Sequence, residues 1–262
     1  MDQRTSEGFY ITLPSNASQD VFKNNTSSSF HVDLAQHIDL EGPWQVAMTE
    51  ISDPHTWFNV PIELAYFEVR AAPRHKETNE ILRQQIRGGY FSDVNQFVNE
   101  LNAFLRKTNT DIYVVVNPIQ RRLDFQAGGQ FQLRVRPPIS YIMGMKPGEW
   151  FTFTRERVAP YPMDIKAGFY HLYCYSDVVR HQLVGDTYAP LLRIADVRGT
   201  FGDIITQYFN LAYYMPVVKN HIESIHIEIK NDQNKPVNFV FGKTIVKLHF
   251  RPSKSYITSL KK

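Results

Sequence analysis

The sequence predicts an all-β fold, a β-sandwich or jelly roll of two antiparallel sheets, with one prominent amphipathic helix. Three observations carry this. Apolar and polar residues alternate over short runs, as in Phe30-His31-Val32-Asp33-Leu34 and Ile225-His226-Ile227-Glu228-Ile229. Such alternation buries one face of a strand and leaves the other wet. Turn signals rich in Gly, Pro, Asn and Asp separate these runs. A single stretch, Val94, Phe97, Val98, Leu101, Phe104 and Leu105, has the spacing of one helical face.

In chain order, residues 9–13 form a first strand stopped by Pro14, and the Ser- and Asn-rich stretch 15–29 is a loop. Residues 30–34 and 44–49 read as two antiparallel strands joined across Glu41-Gly42-Pro43. A strand over 64–70 precedes a polar loop, 71–80. The helix is expected over 92–107, with Ser92 as N-cap and Asp93 in the first turn facing the dipole. Strands follow at 112–116, 122–126 and 131–135, and Gly128-Gly129 suggests a hairpin between the last two. A helical turn is expected within 140–145. Further strands are expected at 150–154, 168–175, 191–195, 224–230, 238–241 and 245–250, with a turn at Asp232-Gln233-Asn234-Lys235.

Composition bounds the function. Hydrophobic residues make up 43% of the 262-residue chain, enough for a sizeable core. The 18 Phe and 14 Tyr favour pleated surfaces over helices. A net charge of +3, dispersed rather than massed, is not the dense basic stripe of a strong nucleic-acid binder. Cys174 is the lone cysteine, so no intrachain disulfide forms, and it is expected as a small buried hydrophobe. The polar N-terminus does not resemble a signal peptide, so the sequons at Asn16 and around Asn24-Asn25 are read as chance. No run is long and apolar enough for a membrane helix, and no membrane partner is expected.

Catalytic signatures are missing. There is no HExxH, nucleophile elbow or Walker loop. His226 and His249 alternate with apolar residues and belong on the wet faces of strands. His171 and Cys174, three apart on a strand, point to opposite faces. No catalytic, cofactor-binding or metal-ligating residue is assigned, no cofactor is expected, and the chain is read as not an enzyme. Arg121, Arg122, Arg134, Arg136 and the basic tail are read first as solvated strand edges, with packaged DNA as the other partner the tail could meet.

Several motifs, in order, resemble one family. Phe9-Tyr10-Ile11-Thr12-Leu13-Pro14-Ser15-Asn16, Phe30-His31-Val32-Asp33-Leu34, Gly42-Pro43-Trp44-Gln45-Val46-Ala47, Gly89-Tyr90 before the helix and Met143-Gly144-Met145 are similar to penton (minor capsid) proteins of Maverick/Polinton elements and adintovirus-like viruses. So are Val184-Gly185-Asp186, Ala189-Pro190-Leu191-Leu192-Arg193, Tyr214-Met215-Pro216-Val217, Phe241-Gly242-Lys243 and Leu248-His249-Phe250-Arg251. The resemblance implies a single jelly roll spanning 1–262 with short flexible N- and C-terminal tails. It implies a virion location at the vertex of an icosahedral capsid, after synthesis in the host cytoplasm or nucleus. The implied partners are the chain itself as a homopentamer, a double-jelly-roll major capsid protein, and a spike or fibre protein. Little room is left for the large outer insertion of adenovirus penton bases, and no Arg-Gly-Asp tripeptide occurs.

The other function the sequence allows is a β-sandwich binding module that recognises a cell-surface ligand or anchors a receptor-binding spike. For self-association, residues 201–216 are the candidate, because Tyr208, Phe209, Tyr213 and Tyr214 exceed what one short loop needs. The competing reading places those rings in the core.

Overall fold

A computed structural model describes residues 8–71, 81–107 and 111–253. The elements run β1 (Phe9–Pro14), β2 (Ser29–Asp39), β3 (Trp44–Pro54), β4 (Tyr66–Ala71), β5 (Leu82–Gln85), α1 (Val94–Lys107), β6 (Ile112–Asn117), β7 (Arg122–Val135), α2 (Ile139–Ile142) and β8 (Trp150–Val158). They continue with β9 (His171–Ser176), β10 (Gln182–Val184), β11 (Thr187–Ala189), β12 (Leu191–Asp196), β13 (Ile204–Tyr208), β14 (Met215–Pro216), β15 (His221–Lys230) and β16 (Ile245–Pro252). The fold is all-β and jelly-roll-like, with antiparallel sheets and α1 as its prominent helix. The expected tails fall mostly on 1–7 and 254–262, and the polar loop on 72–80, all outside the described residues.

The chain divides into two compact units: Met1–Trp57 with Phe169–Lys262, and Phe58–Gly168, which interrupts the first in sequence. The contiguous segment Phe58–Gly168 carries α1, α2 and the five strands β4 to β8, and it closes a core of its own.

In the first unit, one sheet has the order β1-β16-β3-β13, with β14 also pairing with β3, and the other has the order β12-β9-β15-β2. Their inner faces meet in one core. Leu13, Val46, Met48, Val246, Leu248 and Phe250 come from the first sheet. Phe30, Leu172, Cys174, Ile225, Ile227 and Ile229 come from the second. The strict alternation along β15 and β16 leaves His226, Glu228, Lys247 and His249 outside. The residues read as a hairpin, 30–34 with 44–49, lie instead in different sheets: β2 pairs with β15, and β3 with β16. A short polar turn between alternating strands serves equally for a hairpin and for a corner that changes sheets, and here both inner faces find more apolar partners across the sandwich. Residues 238–241 form no strand, and Phe239 packs sideways onto the core instead.

In the second unit the sheet order is β5-β4-β7-β6, with β8 also pairing with β7. Phe97 and Leu101 are buried in its core, and Phe104 is half-buried against it. The cap of α1 is Asp93 rather than Ser92: its Oδ1 accepts the Gln96 N–H at 3.0 Å, while Gln96 Oε1 accepts the Ser92 N–H at 2.7 Å. The Gln96 N–H, with help from the Ser92 hydroxyl and the Asn95 N–H, holds the Asp93 carboxyl below its usual range. A further correction concerns Gly128-Gly129. β7 runs straight through them, with a register shift against β8 between Gln126 and Gln130. A Cβ on Gly128 would sit 1.6 Å from Asp111 Oδ2, so the glycine permits a close approach within a bulged strand rather than a turn.

Candidate assembly surface

End strands leave backbone donors and acceptors unpaired, and proteins usually blunt them with charge or brevity. In the first unit, β12 and β13 each end their sheet on the same flank, where Gln207 Nε2 donates to the Asp196 carbonyl at 2.9 Å. This flank exposes aromatic and aliphatic side chains beside the Asp196–Arg198 ion pair. Tyr208 is 70% exposed, Leu211 67%, Ile204 61% and Tyr213 55%. Tyr208 and Tyr213 therefore do not fill the core, whereas Phe209 is half-buried and packs onto it.

Arg193 organises the cluster. Its guanidinium stacks over Phe209 at 4.1 Å and Tyr213 at 4.5 Å, and donates to the Leu211 carbonyl at 2.9 Å. Partial burial lowers its pKa. Beside it lies a shallow depression of about 400 Å³ lined by Asp196, Arg198, Thr206, Gln207, Tyr208 and Phe209. The hairpin β10–β11, which leads into β12, exposes Leu183 and Tyr188. Apolar rings around a positioned arginine are the residue types that anchor desolvated interfaces.

Tyr214 stands apart from this flank. Its hydroxyl meets His249 Nδ1 at 2.7 Å, Arg251 lies 3.3 Å over its ring, and the Tyr10 ring lies tilted against His249 at 4.4 Å, all on the outer face of β1 and β16. Burial, then the neighbouring Arg251, lowers the pKa of His249. Sequence reading had Arg193 only as part of the motif Ala189-Pro190-Leu191-Leu192-Arg193, and it did not single out Leu183 or Tyr188. The signal for its place in a cluster was faint: a single arginine between Leu192 and Ile194.

The residues singled out for chemistry are placed as follows. Cys174 is fully buried, and desolvation raises its thiol well above the usual range. His171, on the opposite face, is held at 2.8 Å by Asp232, whose other oxygen takes the Tyr170 and His171 N–H groups; this is a turn clasp. His226 stacks on His31 at 4.0 Å, and burial lowers its pKa. Arg134 is ion-paired with Glu68 at 2.5 Å and lies over Trp150, so it is engaged within its own unit. The basic tail lies outside the described residues. Among the described residues, His37, Asp39 and His221 gather ring nitrogens and a carboxylate within 4.8 Å of one another. No helix there is long and apolar enough to cross a membrane.

No protein-family model matches the chain, and no curated protein matches it in sequence. Among solved structures, the crystal structure of the selenomethionine-labelled mavirus penton protein is similar, with a TM-score of 0.52 and 11% identity. The likeness covers 94% of this chain and 99% of that one. It is a likeness of fold: this all-β, jelly-roll-like chain has a penton-like architecture.

Proposed function

We propose that this chain is a structural minor capsid protein, not an enzyme, and that five copies form the vertex of an icosahedral shell in a virion. The observation that carries the reading is a penton-like fold matched along nearly the full length of both chains. Sequence motifs resembling pentons of Maverick/Polinton elements and adintovirus-like viruses support the same assignment. On this reading 1–262 act as one capsid subunit, its neighbours are a double-jelly-roll major capsid protein and a spike or fibre protein, and the basic tail meets packaged DNA. A fivefold ring needs a heterologous contact, one patch meeting a different patch on the next copy. The flank around Arg193, Tyr208, Leu211 and Tyr213 supplies one such patch.

Native mass spectrometry and particle imaging of concentrated protein test this. A closed ring of five is expected, and Tyr208→Asp with Leu211→Asp should dissociate it without lowering the melting temperature. A stable dimer or trimer as the largest closed assembly, or density for this chain at sixfold positions of a shell, overturns the vertex assignment.

A further inference from the structure

We propose that His37, Asp39 and His221 form a zinc site at the open end of the β2–β15 pair. The backbone builds it. His37 and Asp39 are two apart on β2, so they share a face, and Asp39 lies directly opposite His221 in the ladder. His37 Nε2 lies 3.3 Å from Asp39 Oδ2, and His221 Nδ1 lies 2.6 Å from Asp39 Oδ1. The rings of His37 and His221 are 5.0 Å apart, centre to centre. One carboxylate thus stands between two imidazoles.

One of these distances, His37 Nε2 to Asp39 Oδ2, suits a tetrahedral ion as it stands. Zinc binds His nitrogen and carboxylate oxygen at about 2.0–2.2 Å, which sets neighbouring ligand atoms roughly 3.3–3.5 Å apart. The His37–Asp39 separation already matches. The His221–Asp39 pair now holds a hydrogen bond. On binding, the shared proton leaves to solvent, the ion takes its place, and the pair opens by less than about 1 Å.

A fourth residue argues for more than a chance ion pair. Glu223 Oε1 holds His221 Nε2 at 3.3 Å, the ring nitrogen that faces away from Asp39. A carboxylate on the far nitrogen fixes the tautomer and orientation of a metal-bound imidazole and raises its basicity. The chemistry selects a borderline ion with two nitrogens and one oxygen, and water fills the fourth position. Such an ion would staple the end strand β2 to β15.

The test uses the full chain, treated with chelator, then titrated with Zn²⁺ alone and separately with Co²⁺. One saturable ion per chain is expected, with a tetrahedral Co²⁺ absorption band and a rise in melting temperature. His37→Ala and His221→Ala should each abolish saturable binding, and Glu223→Gln should weaken it about tenfold. His226→Ala, in the stacked pair elsewhere on β15, should bind like the parent. All four positions have exposed or half-buried side chains, and circular dichroism checks that each variant folds. No saturable binding by the parent, or unchanged binding in both His37→Ala and His221→Ala, overturns the site and leaves a hydrogen-bonded clasp only. The measurement does not depend on oligomeric state, so it stands or falls apart from the vertex assignment.

Discussion

The two units close their cores by opposite routes. In the first, the central ladders join segments from distant parts of the chain: Phe9 opposes Phe250, Val32 opposes Ile225, and Val46 opposes Phe250. In the second, β6 pairs with β7, the next strand along the chain, and α1 is pinned to β6 only a few residues downstream. Asn102, buried on the helix, donates to the Val114 carbonyl at 2.7 Å and accepts the Val114 N–H at 2.9 Å. β6 ends its sheet, so this side chain completes an edge that a further strand would otherwise fill. The difference teaches that the inserted unit can gather much of its core from neighbours in sequence. The sandwich must wait for β16, the last strand described, and long-range pairing of that kind is slow.

Four experiments break or sharpen that contrast. The largest effect is expected at Phe250, fully buried and stacked on Phe9 at 5.2 Å. Phe250→Ala should cost about 3–5 kcal/mol in denaturant unfolding, with hydrogen exchange accelerated in β1 and β3. Unchanged exchange there would mean that β16 does not close the sandwich core.

Asp53 comes next. It is 2% exposed, its Oδ1 has no hydrogen-bond partner among the described residues, and burial raises its pKa from 3.8 to about 7. Between those two values the folded state holds a proton that the unfolded chain has released. Stability is therefore greatest below the ordinary carboxyl pKa, falls as pH rises towards about 7, and levels above it. The full drop is on the order of 4 kcal/mol. Asp53→Asn should flatten this slope, and melting curves collected across that range would show a persisting slope if another group were responsible.

Leu101→Ala probes the inserted unit. At 2% exposure the substitution should cost about 2–5 kcal/mol, read from unfolding by denaturant. An unmoved midpoint would contradict the helix-on-sheet core. The smallest effect is at Asn102. Asn102→Ala leaves the Val114 N–H and carbonyl without their partner, worth about 1–3 kcal/mol, and should speed amide exchange at Val114 itself. Slow exchange in the variant would show that the edge is satisfied some other way.

Much of this was legible beforehand. The alternation in β15 and β16 placed Ile225, Ile227, Ile229, Val246 and Leu248 inside, and the helical spacing located α1 to within two residues. Gly128-Gly129 misled because glycine suits a tight turn and a bulged strand alike. Residues 238–241 misled because apolar residues can plug the margin of a core without joining a ladder. The aromatic surplus at 201–216 did not separate Tyr208 and Tyr213, which face outwards, from Tyr214, which is taken up by His249 and Arg251.

By itself the sequence determined the all-β class, the inward residues of the regular strands and the position of the one long helix. All three follow from periodicity along a single element, which neighbouring residues suffice to specify. Tertiary structure alone decided which strands pair, that Phe58–Gly168 closes its own core, and that His37 and Asp39 meet His221 across a ladder. Those depend on contacts between residues far apart in the chain, and many pairings bury the same alternating faces equally well until the whole sandwich has closed.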